Sequence, residues 1–320
     1  MPLKDLKKNQ ALKNVEALQA KIKSTQHERS ILATALQFQK WCVDRNWIDP
    51  FPVKVEPLGA FIVDKVRLLK GSAKSAGRWL NQLKSHSIQH RFPWLDATDE
   101  KNVKRIIKEL EFLDAFPIKR MHPLTKDINL AILSHPQVPF LAKTYITVGR
   151  EAILRGGELC SGLTRANFTW SPKKDRVTIH LFRSKANRKG DGEFITLLDY
   201  GVQSSVSILK EHFNIHGLWK AQPDKIIFPA YTKTKGMDWN KSINVRQLRD
   251  MIRRSLKCIG MDGNRFGAHS LRAGGATDLF RAGVYYPTIK KFGRWKSDSA
   301  LLYFRDQEKT VETVMEAFAN

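Results

Sequence analysis

Residues 267–306, GAHSLRAGGATDLFRAGVYYPTIKKFGRWKSDSALLYFRD, set the tightest limits on what this chain can become. His269 and Arg272 stand three apart, which on a helix puts both side chains on one face. A segment of helical period follows and breaks at Gly293. Arg294 and Trp295 come next, and the stretch closes on Tyr303 and Arg305. A histidine, several arginines, an indole donor and a tyrosine this close together suit chemistry on a phosphate. Guanidiniums hold non-bridging oxygens in a planar fork. A tyrosine oxygen can attack phosphorus.

Charge points the same way. Lys and Arg number 55 against 31 Asp and Glu, a net charge of +24 over 320 residues. That excess is the electrostatic footprint of a phosphate-backbone binder. The 42% hydrophobic content supports packed cores, and the length suggests two domains. Cys42, Cys160 and Cys258 lie far apart without metal-ligand spacing, and read as reduced thiols in a reducing compartment. No cluster suits a metal ion. The N-terminus has no apolar core for a secretory signal, and no apolar run is long enough to span a bilayer. The expectation is a soluble protein, not secreted and not in a membrane.

Taken in order, the chain reads as helices first. A lysine-rich helix is expected over 3–23 with a narrow apolar stripe. Thr25 and Glu28 make a capping box for a helix over 28–46. Further helices are expected over 57–70, 73–90 and 99–114. Phe38, Trp41, Trp47, Trp79 and Trp94 are assigned to the core of this bundle. Lys74, Arg78 and Lys84 belong to a basic stretch that faces either DNA or solvent. Pro117 and Pro123 mark a boundary. The domains are therefore 1–115, a linker over 116–122, and 123–320, ending in a short apolar tail with Val311, Val314 and Phe318 at helical spacing.

The second domain mixes periods. Helices over 124–134 and 138–153 precede LRGGELCSGLTRANF, in which Arg155 and Glu158 share a helix face. RVTIHLF and EFITLLD alternate as strands around the turn-rich RSKANRKGDG. A helix over 201–214, a short KIIFPA strand and a helix over 244–258 lead back to His269. The fold class is mainly α with a small β-sheet: an all-helical N-terminal domain and an α+β second domain.

His-Ser-Leu-Arg, then Gly-Arg-Trp, then Tyr-Phe-Arg resembles the C-terminal boxes of the tyrosine recombinases, the phage-integrase family. Gly-Arg-Trp-Lys-Ser-Asp before Leu-Leu-Tyr-Phe-Arg looks most like the recombinases of eukaryotic mobile elements, the Crypton and DIRS types. Arg155, Glu158, Leu159, Leu163 and Phe168 match the family's first arginine box position by position. The resemblance implies a catalytic lysine just after the first strand of the hairpin: Lys185, with Lys189 as runner-up. Many members have a histidine nine residues before the tyrosine. Here that residue is Arg294, and Trp295 is eight before, so either can fill the slot. Residues 1–115 match by architecture alone, as the core-binding domain that clamps DNA together with the second domain.

The resemblance implies a site-specific recombinase or integrase of a mobile element, acting in integration or transposition. Tyr303 would attack a phosphodiester of double-stranded DNA to give a 3′-phosphotyrosyl link and a free 5′-hydroxyl, with no ATP, metal or other cofactor. Arg155 and Arg272 would hold the non-bridging oxygens. Lys185 would protonate the departing 5′-oxygen, His269 would assist proton transfer, and Glu158 would orient its neighbours. The tail would dock on another protomer, giving a dimer or tetramer on DNA. Location would be nuclear in a eukaryote and cytoplasmic otherwise. Two other readings remain: a type IB topoisomerase-like nick-and-reseal enzyme, and a domesticated DNA-binding protein of the same fold without turnover.

Overall fold

A computed structural model describes residues 26–47, 49–67, 73–113, 121–182, 192–232 and 236–303. The chain divides into two compact units, Met1–Ile118 and Lys119–Asn320. Among the described residues the first unit has the α-helices α1 (Gln26–Val43), α2 (Val55–Arg67), α3 (Ala76–Gln89) and α4 (Ala97–Leu113). Each has an apolar stripe at helical spacing, and the stripes meet in one core of Phe38, Trp41, Leu58, Phe61, Ile62, Trp79, Leu80, Leu83, Val103 and Ile107. Thr34 donates to Gln82 at 2.8 Å inside this core, so the buried hydroxyl is satisfied. The expected lysine-rich helix over 3–23 and Thr25 lie outside the described residues.

Trp47 departs from its assignment. It is 38% exposed rather than packed in the core. Helix α1 ends at Val43, and Asn46 takes a left-handed φ of 59°. That turn carries the chain off the helix axis before Trp47 can reach the bundle. Phe38, Trp41 and Trp79 are buried, and Trp94 packs against the same core.

The second unit is α+β, and the molecule as a whole is mainly α with small antiparallel sheets, as the sequence indicated. Helices α5 (Lys126–Ser134) and α6 (Phe140–Glu151) and the single turn α7 (Gly156–Leu159) come first. A three-stranded antiparallel sheet follows in the order β1 (Phe168–Trp170), β2 (Arg176–Leu181), β3 (Glu193–Leu198). Then come α8 (Ser205–Ile215), β4 (Pro229–Thr232) paired with β5 (Gly236–Ser242), α9 (Val245–Cys258), α10 (Ala268–Arg281) and α11 (Tyr286–Phe292). A 3-10 segment, Asp298–Tyr303, completes the described chain. Helix α8 starts at 205 rather than 201 because Gly201 turns with φ 122° and Ser204 caps the helix, accepting from the Ser207 N–H at 3.0 Å. Strands β1 and β5 were not expected: β1 is only three residues long, and GMDWNKS shows no alternation.

Helix α10 runs through the centre of this unit, with eight consecutive buried positions, Ser270 to Thr277, after exposed His269. Its Gly274 and Gly275 explain how it gets there. A Cβ at Gly274 would lie 1.8 Å from the Leu124 carbonyl oxygen, and one at Gly275 would lie 2.3 Å from that of Arg150. Backbone meets backbone at this crossing, and only glycine leaves the room. The large core of the unit, around Tyr145, Ile179, Phe213, Phe228, Leu248 and Leu271, lies to one side. A smaller cluster of Ile153, Ala273, Ala276, Ile289, Trp295, Ala300 and Tyr303 lies to the other.

Candidate active site

The smaller cluster is lined by polar groups from four elements. At the start of α10, the Gly267 N–H donates to Ser270 Oγ at 3.1 Å, fixing the first turn. This leaves His269 exposed and Arg272 pointing inward, 1% exposed. Arg272 donates from Nη1 to the Ile153 carbonyl at 2.6 Å and from Nη2 to the Gly293 carbonyl at 2.5 Å. Trp295 covers it, with Arg272 Cζ 4.0 Å from the ring centroid. The cation is thus held between two carbonyl dipoles and an aromatic face.

Tyr303 is delivered to the same place by the 3-10 segment. Its carbonyl accepts from Thr277 Oγ1 at 2.9 Å, which ties the segment's end to α10. Its hydroxyl lies 2.5 Å from His269 Nε2. Its ring lies 5.5 Å from that of Trp295. Gly293 makes this arrangement possible: a Cβ there would sit 1.6 Å from the Trp295 ring.

Arg155 comes from α7. Glu158 Oε2 accepts the Arg155 backbone N–H at 2.8 Å, and Oε1 accepts from its guanidinium. The shared helix face read from the sequence is therefore a direct contact. Arg155 Nη2 also donates to the Arg294 carbonyl at 3.2 Å. Arg294 adopts a left-handed φ of 59° and turns its side chain inward, 7% exposed. It donates to Glu158 at 2.9 Å and to the carbonyls of Ala152, Ile153 and Phe292 at 3.2–3.3 Å. Glu193, first residue of β3, places Oε2 3.5 Å from Arg294 Nε. Neither atom has a hydrogen-bond partner among the described residues.

Three guanidiniums thus gather around two carboxylates. Burial, then the Arg155 and Arg294 charges, push Arg272 below its ordinary value. Burial also lowers Arg294, with Glu158 opposing. Burial would raise the Glu158 carboxyl, but Arg294 and the bonds from Arg155 outweigh it and hold the group below the usual carboxylate range. The site is a fixed, cationic, partly dry pocket with a phenol hydroxyl on an imidazole at its edge. Such a set suits attack on a phosphodiester, because positive charge is already aimed where negative charge would grow.

Of the residues singled out in the sequence, Arg155, Glu158, His269, Arg272, Arg294, Trp295 and Tyr303 converge here. Lys185 and its runner-up Lys189 lie outside the described residues, as do Arg305 and the apolar tail. Lys74, Arg78 and Lys84 belong to the first unit. Lys74 and Arg78 are exposed, Arg78 donating to Ser75 at 2.8 Å, while Lys84 pairs with Glu100 at 2.6 Å. Glu193 was missed. Its signal was a carboxylate opening a strand directly after a basic turn. Among the described residues no group of His, Cys, Asp and Glu could hold a metal ion, and no helix is long and apolar enough to cross a membrane. Cys42, Cys160 and Cys258 are unpaired, and burial pushes the first two up to about 11 and about 12.

Three solved structures are similar to this chain in fold. The fold is similar to that of a lambda integrase dimer bound to a COC′ core site, with TM-score 0.59 and 16% identity over 92% of this chain and 94% of that one. It is similar to XerH site-specific recombinase bound to a palindromic difH substrate in a post-cleavage complex, with TM-score 0.57 and 16% identity over 85% and 74%. It is also similar to the Tn1549 transposon integrase in complex with circular intermediate DNA, with TM-score 0.54 and 14% identity over 88% and 98%. At these identities the likeness is one of fold. No curated protein matches in sequence. The model of the phage integrase family matches residues 124–310, more than half of the chain and every converging residue. This chain belongs to the phage integrase family, the tyrosine recombinases.

Proposed function

We propose that this protein cleaves and rejoins double-stranded DNA through a 3′-phosphotyrosyl intermediate, as the recombinase of a mobile element. The observation that carries this reading is the Tyr303 hydroxyl 2.5 Å from His269 Nε2, at the edge of the three-guanidinium pocket. His269 takes the phenolic proton as Tyr303 attacks phosphorus. The phosphorus–tyrosine bond forms, the bond to the 5′-oxygen breaks, and that oxygen leaves as a hydroxyl after protonation. Lys185 is the proposed proton donor, on its position between the other boxes. Because one phosphoester replaces another, no nucleotide is consumed. A 5′-hydroxyl from another strand reverses the step.

Arg155 and Arg272 stabilise the non-bridging oxygens. A guanidinium has five donors, and Arg272 uses two nitrogens on carbonyls, which leaves donors for an anion. Trp295, with Arg272 over its ring and Tyr303 beside it, takes the slot that many members of the family fill with histidine. Arg294 instead positions Glu158, and through it Arg155. Lys74 and Arg78 on the first unit meet DNA phosphates, and Lys84 joins them if it exchanges Glu100 for a phosphate. The lambda, XerH and Tn1549 proteins were solved on DNA, which favours the same partner here. The Gly-Arg-Trp-Lys-Ser-Asp wording favours a Crypton- or DIRS-type element and hence a nuclear location. The tail favours docking between protomers as a dimer or tetramer.

The test compares cleavage with binding. Arg155→Lys and Arg272→Lys keep the charge but lose the planar fork. Each should lower cleavage of DNA carrying the element's ends by about a hundredfold or more while retaining most DNA affinity. Wild-type activity should survive EDTA. Tight binding by wild type with no cleavage of any element end would favour the domesticated binder.

A further inference from the structure

The outward face of the three-stranded sheet is unlike an ordinary solvated face. Antiparallel sheets with one buried side alternate apolar inward with polar outward. Here Val177, Ile179, Leu181, Ile195 and Leu197 do face the core. The opposite face begins ordinarily, with Thr169, Thr178 and Thr196 in one row and a 3.0 Å contact between the last two hydroxyls. Beyond that row it turns aromatic. His180 pairs with Phe194 across β2 and β3, their rings stacked at 4.1 Å and 14°. The Phe182 ring, just past β2, has its centroid 4.0 Å from that of His180 and is tilted 48° to it. Phe194 is 65% exposed and Phe182 52%, so this cluster of three rings is open to solvent. Gly192 leaves room for the His180 ring where it stands: a Cβ there would meet His180 Nε2 at 2.3 Å.

Charge and position narrow the occupant. None of the outward positions 169, 176, 178, 180, 182, 194, 196 and 198 carries a carboxylate, and Arg176 is exposed at the far end of the face, near exposed Lys173, with Asp175 between them; Lys174 turns the other way, its Nζ 3.9 Å over the Trp219 ring. Aromatic rings on an open sheet with basic residues at the border form a stacking platform for unpaired bases: every base has a π-face, and the cations take the phosphates. The aromatic end is also the end at the active site. Glu193, next to Phe194, reaches Arg294, and Asn167 Nδ2 donates to the His180 carbonyl at 2.8 Å.

We propose that the sheet face Phe182–His180–Phe194 binds single-stranded DNA, stacking the bases of a strand freed beside the scissile phosphate. The location beside the site rests on the strand-cleaving function proposed above; the platform itself is a binding property and stands apart from cleavage. A strand that has been cut must unpair before its 5′-end can transfer. The platform holds it open and close to the site.

The test uses full-length protein and two probes: an oligothymidylate of about 15 nucleotides with one internal 2-aminopurine, and a blunt duplex of the same length. Phe182→Ser with Phe194→Ser alters exposed rings and leaves the core intact, and Phe194→Trp keeps a stacking ring. Wild type and Phe194→Trp should quench 2-aminopurine on binding. The double variant should lose the quenching and bind the oligothymidylate about tenfold more weakly, with duplex affinity changed by less than about twofold. Equal oligothymidylate affinity and quenching in the double variant would overturn the proposal. So would an equal loss on both probes. A change in sedimentation of the free protein with oligothymidylate binding intact would also overturn it, marking the face as an interface between copies. Wild type that binds no duplex would sink the recombinase reading while the oligothymidylate arm still decides the platform.

Discussion

At the scale of single residues, the proposed chemistry divides the site into side chains that would meet a phosphate and side chains that hold others in place. Arg294 is the clearest case. Its spacing from Tyr303 made it a candidate for direct contact, but its left-handed φ and its bonds to Glu158 turn it away from the hydroxyl. Nothing in a linear spacing reports the sign of a φ angle, so the sequence kept Arg294 open as an alternative to the favoured Trp295. His269 is different: its place one helical turn before Arg272 was readable, but the shared face did not show that His269 would be exposed while Arg272 is buried. His269→Ala should lower strand cleavage by about a hundredfold or more, with DNA affinity by gel shift little changed. A buried histidine elsewhere gives a pH prediction. His212, fully buried on α8, has Nε2 2.9 Å from the Ile227 carbonyl and rings of His216 and Trp239 beside it. Burial lowers it from 6.5 to about 4. The unfolded chain then binds a proton that the folded chain refuses, so stability is lost as pH falls from 6.5 toward 4. The loss is about 3 kcal/mol at most, measurable as a falling urea midpoint, and His212→Gln should flatten it.

At the scale of elements, two connections decide whether the site assembles. One is the crossing of α10 with the chain at Leu124 and Arg150. Gly274→Ala forces the crossing apart, should cost about 1–3 kcal/mol, and should appear as a melting temperature several degrees lower. The other is the return of the chain at Gly293. Gly293→Ala collides with the Trp295 ring, so it should reduce cleavage by displacing Trp295 and Tyr303 even where the protein stays folded by circular dichroism. Helices with strong periodicity, such as α2, α4 and α9, were legible within a few residues because each buries one stripe. The β2–β3 hairpin was legible because it alternates. Strands β1 and β5 were not: their pairing is set by neighbours far along the chain, not by their own pattern. Trp47 was misassigned because its exposure depends on where α1 stops. In the first unit, Glu100 collects Lys104, Lys84 and Trp94 at once, and these bonds lower its carboxyl from 4.5 to about 2. The stability it contributes is present above pH 4.5 and is lost as pH falls toward 2; Glu100→Gln should remove that step from an acid titration followed by tryptophan fluorescence.

At the scale of the whole molecule, a net charge of +24 is a statement about its partner. Binding to duplex DNA should weaken steeply with salt, on the order of a thousandfold between about 50 and 200 mM, and a flat response would contradict phosphate contact by the basic surface. The same charge does not distinguish a binder from an enzyme. That distinction rests on one atom, the Tyr303 hydroxyl, and on whether it becomes bonded to phosphorus. The most direct measurement is therefore a denaturing gel of the protein incubated with end-labelled DNA carrying its element's ends, nicked beside the expected cleavage position so that the cut strand cannot be resealed. The account predicts a labelled band shifted by the mass of the protein, sensitive to protease and absent in Tyr303→Phe. A shifted band that persists in Tyr303→Phe, or tight binding with no shifted band from any element end, would contradict it.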